Sequence, residues 1–70
     1  MKDEVLIKFG NKIRELRLSQ NISQEALAEK SGLHRNYIGM VERGERNPSL
    51  VNIEKLAISL EITLTELFKF

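Results

Sequence analysis

The stretch 24–44, reading QEALAEKSGLHRNYIGMVERG, restricts what this chain can fold into more than any other. It contains two short helical patterns with a break between them. The first runs from Gln24 to about Ser31, with Leu27 and Ala28 as its inward face. The break is Ser31-Gly32-Leu33, where glycine can take the positive φ that ends a helix sharply. The second runs from about Arg35 to Arg43, with Ile38 and Val41 three apart on one face and Gly44 as its stop. Small residues at 28 and 32 are expected to let the helices cross steeply, with Leu33 and Ile38 filling the angle between them. Two short helices joined in this way form a helix-turn-helix, whose second helix enters the DNA major groove.

Seventy residues make one small domain, here residues 1–70, with room for a single modest core. There is no cysteine, so neither a disulfide framework nor a thiolate metal site can brace it. Such a chain either packs its helices very well or gains stability by associating. No apolar run approaches the ~18 residues of a membrane span and no signal-peptide pattern opens the chain, so a cytoplasmic protein is expected. The net charge is only +1, but its distribution is uneven. Residues 1–22 carry five basic and three acidic side chains, and residues 30–48 carry Lys30, Arg35, Arg43 and Arg46 against Glu42 and Glu45. A basic face on a near-neutral protein suits a DNA reader that must release non-specific sites. Ordinary mixed surface charge fits the same numbers.

Asp3 can cap a first helix in which Leu6, Phe9, Ile13 and Leu16 recur at helical spacing to about Gln20. Gly10 marks either a close helix crossing or a plain surface position. Lys8, Lys12 and Arg14 lie off the apolar stripe and are read as solvated, with phosphate contact as the alternative. Asn21 suits a left-handed turn, and Ser23 caps the second helix. Gln24 opens that helix, where a phosphate can sit against backbone N–H groups and the Gln24 amide.

On the third helix, Arg35, Asn36, Gly39 and Met40 face outward or along the flanks once Ile38 and Val41 face in. Arg35 and Asn36 lie near the end that reaches base edges. Arginine can grip guanine O6 and N7, and asparagine adenine N6 and N7. Gly39 would let the groove wall approach the backbone, and Met40 either touches a thymine methyl or fills a packing gap. His34 opens the helix as a cap or phosphate contact; no second histidine or cysteine offers it a metal partner. Tyr37 extends its hydroxyl to a phosphate or packs on the flank with a wet tip.

Pro48 keeps Asn47 extended, and Ser49 caps a fourth helix with Ile53, Leu56, Ala57 and Leu60 inside. Thr63 to Glu66 fits a capping box opening a short fifth helix, with Leu64, Leu67 and Phe68 to bury. Leu50, Val51, Ile58, Ile62 and Phe70 then have fewer places in so small a core. With Phe68 they form the candidate dimer interface on helices four and five, the alternative being that several complete the core. The end Phe68-Lys69-Phe70 is expected to leave no room for an effector or oligomerisation domain, so regulation by a small-molecule ligand is not visible; no cofactor is expected.

In order and spacing, Ser23-Gln24-Glu25-Ala26-Leu27-Ala28, Ser31-Gly32-Leu33, Tyr37-Ile38, Val41-Glu42-Arg43-Gly44, Arg46-Asn47-Pro48-Ser49-Leu50 and Ile53-Glu54-Lys55-Leu56-Ala57 with Leu60 form one set. Together they resemble the Cro/lambda-repressor-like (Xre) helix-turn-helix family over nearly the whole chain. The resemblance implies an all-α, compact five-helix DNA-binding domain whose helix-turn-helix is formed by helices 2 and 3. It implies a structural ion pair between Arg17 and Glu42, and a loop along the DNA backbone that would bring Arg43, Arg46 and Asn47 to phosphates. It strengthens the phosphate reading of Gln24. The implied function is a dimeric, sequence-specific transcriptional regulator on a pseudo-palindromic operator in double-stranded DNA, with RNA polymerase as a further candidate partner. The Leu33–Ile38 run and the loop that follows lean toward restriction–modification controller proteins over phage Cro-type repressors.

An antitoxin or other protein-interaction module is the competing reading, permitted by Gly39, Met40 and the apolar tail. An enzyme has little support, because no paired carboxylates, Cys–His pair or Gly-rich phosphate loop is present. Operator sequence and the choice between activation and repression are not legible.

Overall fold

The computed structural model of the chain describes residues 3–70; Lys2, one of the five basic side chains of the N-terminal stretch, lies outside them. Among the described residues there are five helices and no strand. They are α1 (Glu4–Ser19), α2 (Gln24–Ser31), α3 (Arg35–Glu42), α4 (Leu50–Ser59) and α5 (Leu64–Leu67). None is long and apolar enough to cross a membrane.

The caps show why the helices start where they do. Ser23 Oγ accepts from Ala26 N at 3.0 Å, Ser49 Oγ from Asn52 N at 3.1 Å, and Thr63 Oγ1 from Glu66 N at 3.1 Å. Each satisfies a first-turn donor that the helix cannot. Asp3 and His34 occupy the cap positions of α1 and α3 with extended backbones, but neither side chain makes a cap hydrogen bond. The expected capping roles of both are therefore corrected.

Gly32 ends α2 at φ 73°, a left-handed conformation that glycine adopts without steric cost. Its proposed second role, a close crossing of α2 and α3, is not found: a Cβ built there meets nothing within 4 Å. The tight approach lies elsewhere. A Cβ on Gly10 would stand 2.3 Å from the Val41 carbonyl oxygen and 2.6 Å from that of Glu42, so α1 packs backbone to backbone on the end of α3.

The core gathers Phe9 and Ile13 from α1, Leu27 and Ala28 from α2, and Ile38 and Val41 from α3. Leu56 and Ala57 of α4, the following Leu60, and Leu67 of α5 close it. Of the α5 side chains expected to bury, only Leu67 does; Leu64 and Phe68 remain exposed, with Phe68 stacked on Phe9 at 5.5 Å between ring centroids.

Beside this core Arg17 and Glu42 are buried as an ion pair. Arg17 Nε donates to Glu42 Oε2 at 2.7 Å and Nη2 to Oε1 at 3.1 Å, while Nη1 donates to the Ile22 carbonyl at 3.0 Å. One guanidinium thus joins α1, the α1–α2 connection and the end of α3. Such a fork fixes geometry strongly, whereas its net contribution is limited by the desolvation of both charges.

Two substitutions test this packing. Gly10→Ala gains about 1 kcal/mol of helix propensity but forces α1 off α3, so a net loss of about 1–3 kcal/mol in urea unfolding is expected. Arg17→Ala leaves a buried carboxylate without its cation and is expected to lose about 3–5 kcal/mol in the same measurement. An unchanged midpoint in either case would show that the contact does not hold the helices.

Candidate nucleic-acid interface

α3 rests on α1 and α2 through Ile38 and Val41, which leaves its opposite side open. A shallow concavity there is lined by Arg35, Asn36, Gly39, Met40, Arg43 and, from the start of α2, Gln24. All four residues read as base contacts lie in it, together with two of those read as phosphate contacts. Arg35, Gly39 and Arg43 follow at four-residue intervals and form one ridge of the helix, which explains why Arg43 joins the group. By sequence, Arg43 belongs to the end of this helix and to the loop stretch that follows; the four-residue spacing is what sets it beside Arg35 and Gly39.

Gly39 departs from expectation. It is buried, because the side chains of Gln24 and Arg43 lie over it. A Cβ at 39 would come 3.2 Å from Arg43 Nη1 and 3.7 Å from Gln24 Oε1. Glycine here is a platform for two polar side chains, and its backbone is not an open surface.

The remaining candidates are spread around this concavity. Arg35, Asn36 and His34 are exposed at the N-terminal end of α3, and Met40 is half-buried. Arg46 and Asn47 are exposed in the loop after α3, with Arg46 Nε directed to Met40 Sδ at 3.3 Å. Arg43 pairs with Glu45 at 3.1 Å in an exposed ion pair, a geometry worth under about 1 kcal/mol and readily exchanged for another anion. Tyr37 is held more firmly than either sequence alternative implied. Its ring packs against the core and its hydroxyl accepts from Asn52 Nδ2 at 3.2 Å, joining α3 to α4. Asn52 carried no signal in the sequence, since only the tertiary fold brings it to Tyr37.

Electrostatically, the pair with Arg17 removes Glu42 from the open face, so Arg35, Arg43 and Arg46 there are opposed chiefly by Glu45. Among the described residues no cluster of His, Asp or Glu is arranged to hold a metal ion. The surface offers guanidinium and amide donors on a convex helix, which is the chemistry that recognises base edges and phosphates.

Of the six candidate interface residues, Leu50, Val51 and Ile58 on α4 and Phe68 and Phe70 after α5 are exposed. Ile62 is not among them: it is half-buried against the core, because its N–H returns to the Ala57 carbonyl and turns the chain inward.

Comparison with known proteins agrees with this architecture. The helix-turn-helix family model matches residues 13–67. The control protein C.MunI of a Mycoplasma species is 46% identical over 67 residues, covering 94% of this chain and 90% of that protein. The crystal structure of the restriction–modification controller protein C.AhdI from Aeromonas hydrophila is 60% identical and superposes with a TM-score of 0.88, over 90% of this chain and 96% of that one. The controller protein C.Esp1396I, solved as a tetramer in complex with its natural 35 base-pair operator, is 34% identical with a TM-score of 0.91, over 97% of this chain and 90% of its own. With its two short helices crossing on a shared core and their match spanning most of the sequence, this chain belongs to the helix-turn-helix family.

Proposed function

We propose that this protein is a dimeric, sequence-specific transcriptional regulator that reads a pseudo-palindromic operator, in the manner of a restriction–modification controller. The observation that carries the reading is the shared concavity of Gln24, Arg35, Asn36, Gly39, Met40 and Arg43 on the open side of α3. In this reading α3 lies in the major groove, with Arg35 and Asn36 on base edges and Met40 beside them. Gln24, Arg43, Arg46 and Asn47 take phosphates on either side, with His34 near the groove edge. Tyr37 supports α3 through Asn52 and keeps its hydroxyl hydrogen for a nearby phosphate. The similarity to controller proteins, one of them solved on its operator, supports the same assignment and a place in the cytoplasm with the DNA.

Two third helices must stand about 34 Å apart to enter successive turns on one DNA face. Each copy carries one α3, so two copies are needed. The exposed side of α4 supplies the means. Leu50, Val51 and Ile58 are 73%, 61% and 68% exposed, an apolar surface that a second copy would cover.

Selection from a random duplex pool is expected to enrich a two-fold symmetric site with half-sites roughly 10 base pairs apart. An unenriched pool would send the search to protein partners. Arg35→Ala should cost about 1–3 kcal/mol and relax the preference at one base per half-site. Arg43→Ala should weaken selected and unselected duplexes alike and lower the salt slope by about one per half-site. A sequence-dependent loss for Arg43 would move it among the base readers. Ile58→Asp should give a monomer in sedimentation with weakened operator binding; a persisting dimer would locate the interface on another face.

A further inference from the structure

The buried carboxylate of Glu42 makes a contact that holding α1 against α3 does not require. Besides the Arg17 fork, its Oε1 accepts from Gln24 Nε2 at 3.1 Å. Gln24 is the first residue of α2, half-buried, and belongs to the same open concavity as Arg35 and Arg43. We propose that Glu42 is a positioning residue for DNA binding: it holds the Gln24 amide in a DNA-ready orientation, so the interior ion pair reaches the binding face through one hydrogen bond. The proposal rests on the reading of Gln24 as a phosphate contact.

Three features make the orientation specific. An ionised carboxylate only accepts, so the amide must turn its NH2 toward Glu42; the flipped amide would set oxygen against oxygen. The two Arg17 bonds fix the plane of the carboxylate, and with it the direction from which Gln24 is held. The amide rests against α3 at Gly39, where a Cβ would stand at ordinary contact distance, 3.7 Å from Oε1 and 3.8 Å from Nε2, so the helix supports it on that side. One N–H of Gln24 is then used inward, while the second remains for an anion beside the positive end of α2. A glutamine free in solution would lose its rotamer freedom on meeting the phosphate, and here that ordering precedes binding.

The test is a double-mutant cycle on DNA affinity, using a mixed-sequence duplex and a selected operator at two salt concentrations. Melting temperature is recorded for every variant. Gln24→Ala is expected to weaken both duplexes about two- to tenfold per half-site without changing the salt slope, because a neutral amide releases no counterion. Glu42→Gln in the wild-type background should weaken them at least as much, because it also loosens the Arg17 fork, but in the Gln24→Ala background the further loss of affinity should be clearly smaller, while the melting temperature falls by a similar amount in both. Equal losses in both backgrounds would make Glu42 structural only and overturn the proposal while leaving the phosphate role of Gln24 intact. An unchanged affinity for Gln24→Ala would remove the phosphate contact itself, and the proposal with it. Should Glu42→Gln fail to fold, Gln24→Asn decides the matter on a half-exposed site. Its amide is one methylene too short to reach Glu42, so it should lose as much affinity as alanine; wild-type affinity would overturn the proposal.

Discussion

Arg17 and Glu42 meet where α1 crosses the end of α3, and the position of α3 depends on that contact. α3 is only 8 residues long, too short to persist as an isolated helix. Its direction is set by what its inner side touches. Ile38 and Val41 supply the apolar contact, but an apolar contact alone tolerates sliding and rotation. The fork of two hydrogen bonds, with Gly10 allowing backbone to meet backbone, admits little of either. The pair supplies geometry more than net stability, since both charges are desolvated.

The same pair shapes the electrostatics of the open face. A glutamate directly before Arg43 would reduce the attraction of that face for phosphates if it stood in solvent. Sunk against Arg17, it contributes little to the outer field, and Arg35, Arg43 and Arg46 face outward on a molecule of net charge +1. A modest overall charge limits non-specific retention on DNA, while the local arrangement of guanidinium and amide groups keeps recognition available. Glu45 remains as an exposed counter-charge to Arg43.

The helix boundaries, the caps at Ser23, Ser49 and Thr63, the αL stop at Gly32 and most of the core were legible because each depends on neighbours within about one helical turn. The expectation failed where a side chain's partner is distant in sequence or does not exist. Asp3 and His34 have the residue type and position for capping, yet their side chains make no cap bond. Gly39 was placed outward by periodicity, which counts the helix's own face but cannot see Gln24 folding over it from α2. Ile62 was placed with the candidate interface, core completion being the alternative, and a turn at Glu61 with φ 58° carries it back onto the core.

By itself the sequence determined that two short helices would flank a glycine turn, that one side of the second would be apolar, and that arginines and amides would occupy the other. Those are consequences of local spacing and of the conformations that Ser, Gly and Pro favour. Only the tertiary structure decided which of these polar groups converge. The Gln24 amide is joined to Glu42, the Tyr37 hydroxyl to Asn52, and Arg43 lies over Gly39, each across elements separated in the chain or across a helix ridge. Such contacts depend on how whole helices cross, and crossing is set by the packed volume of the core and by one point where α1 carries no side chain.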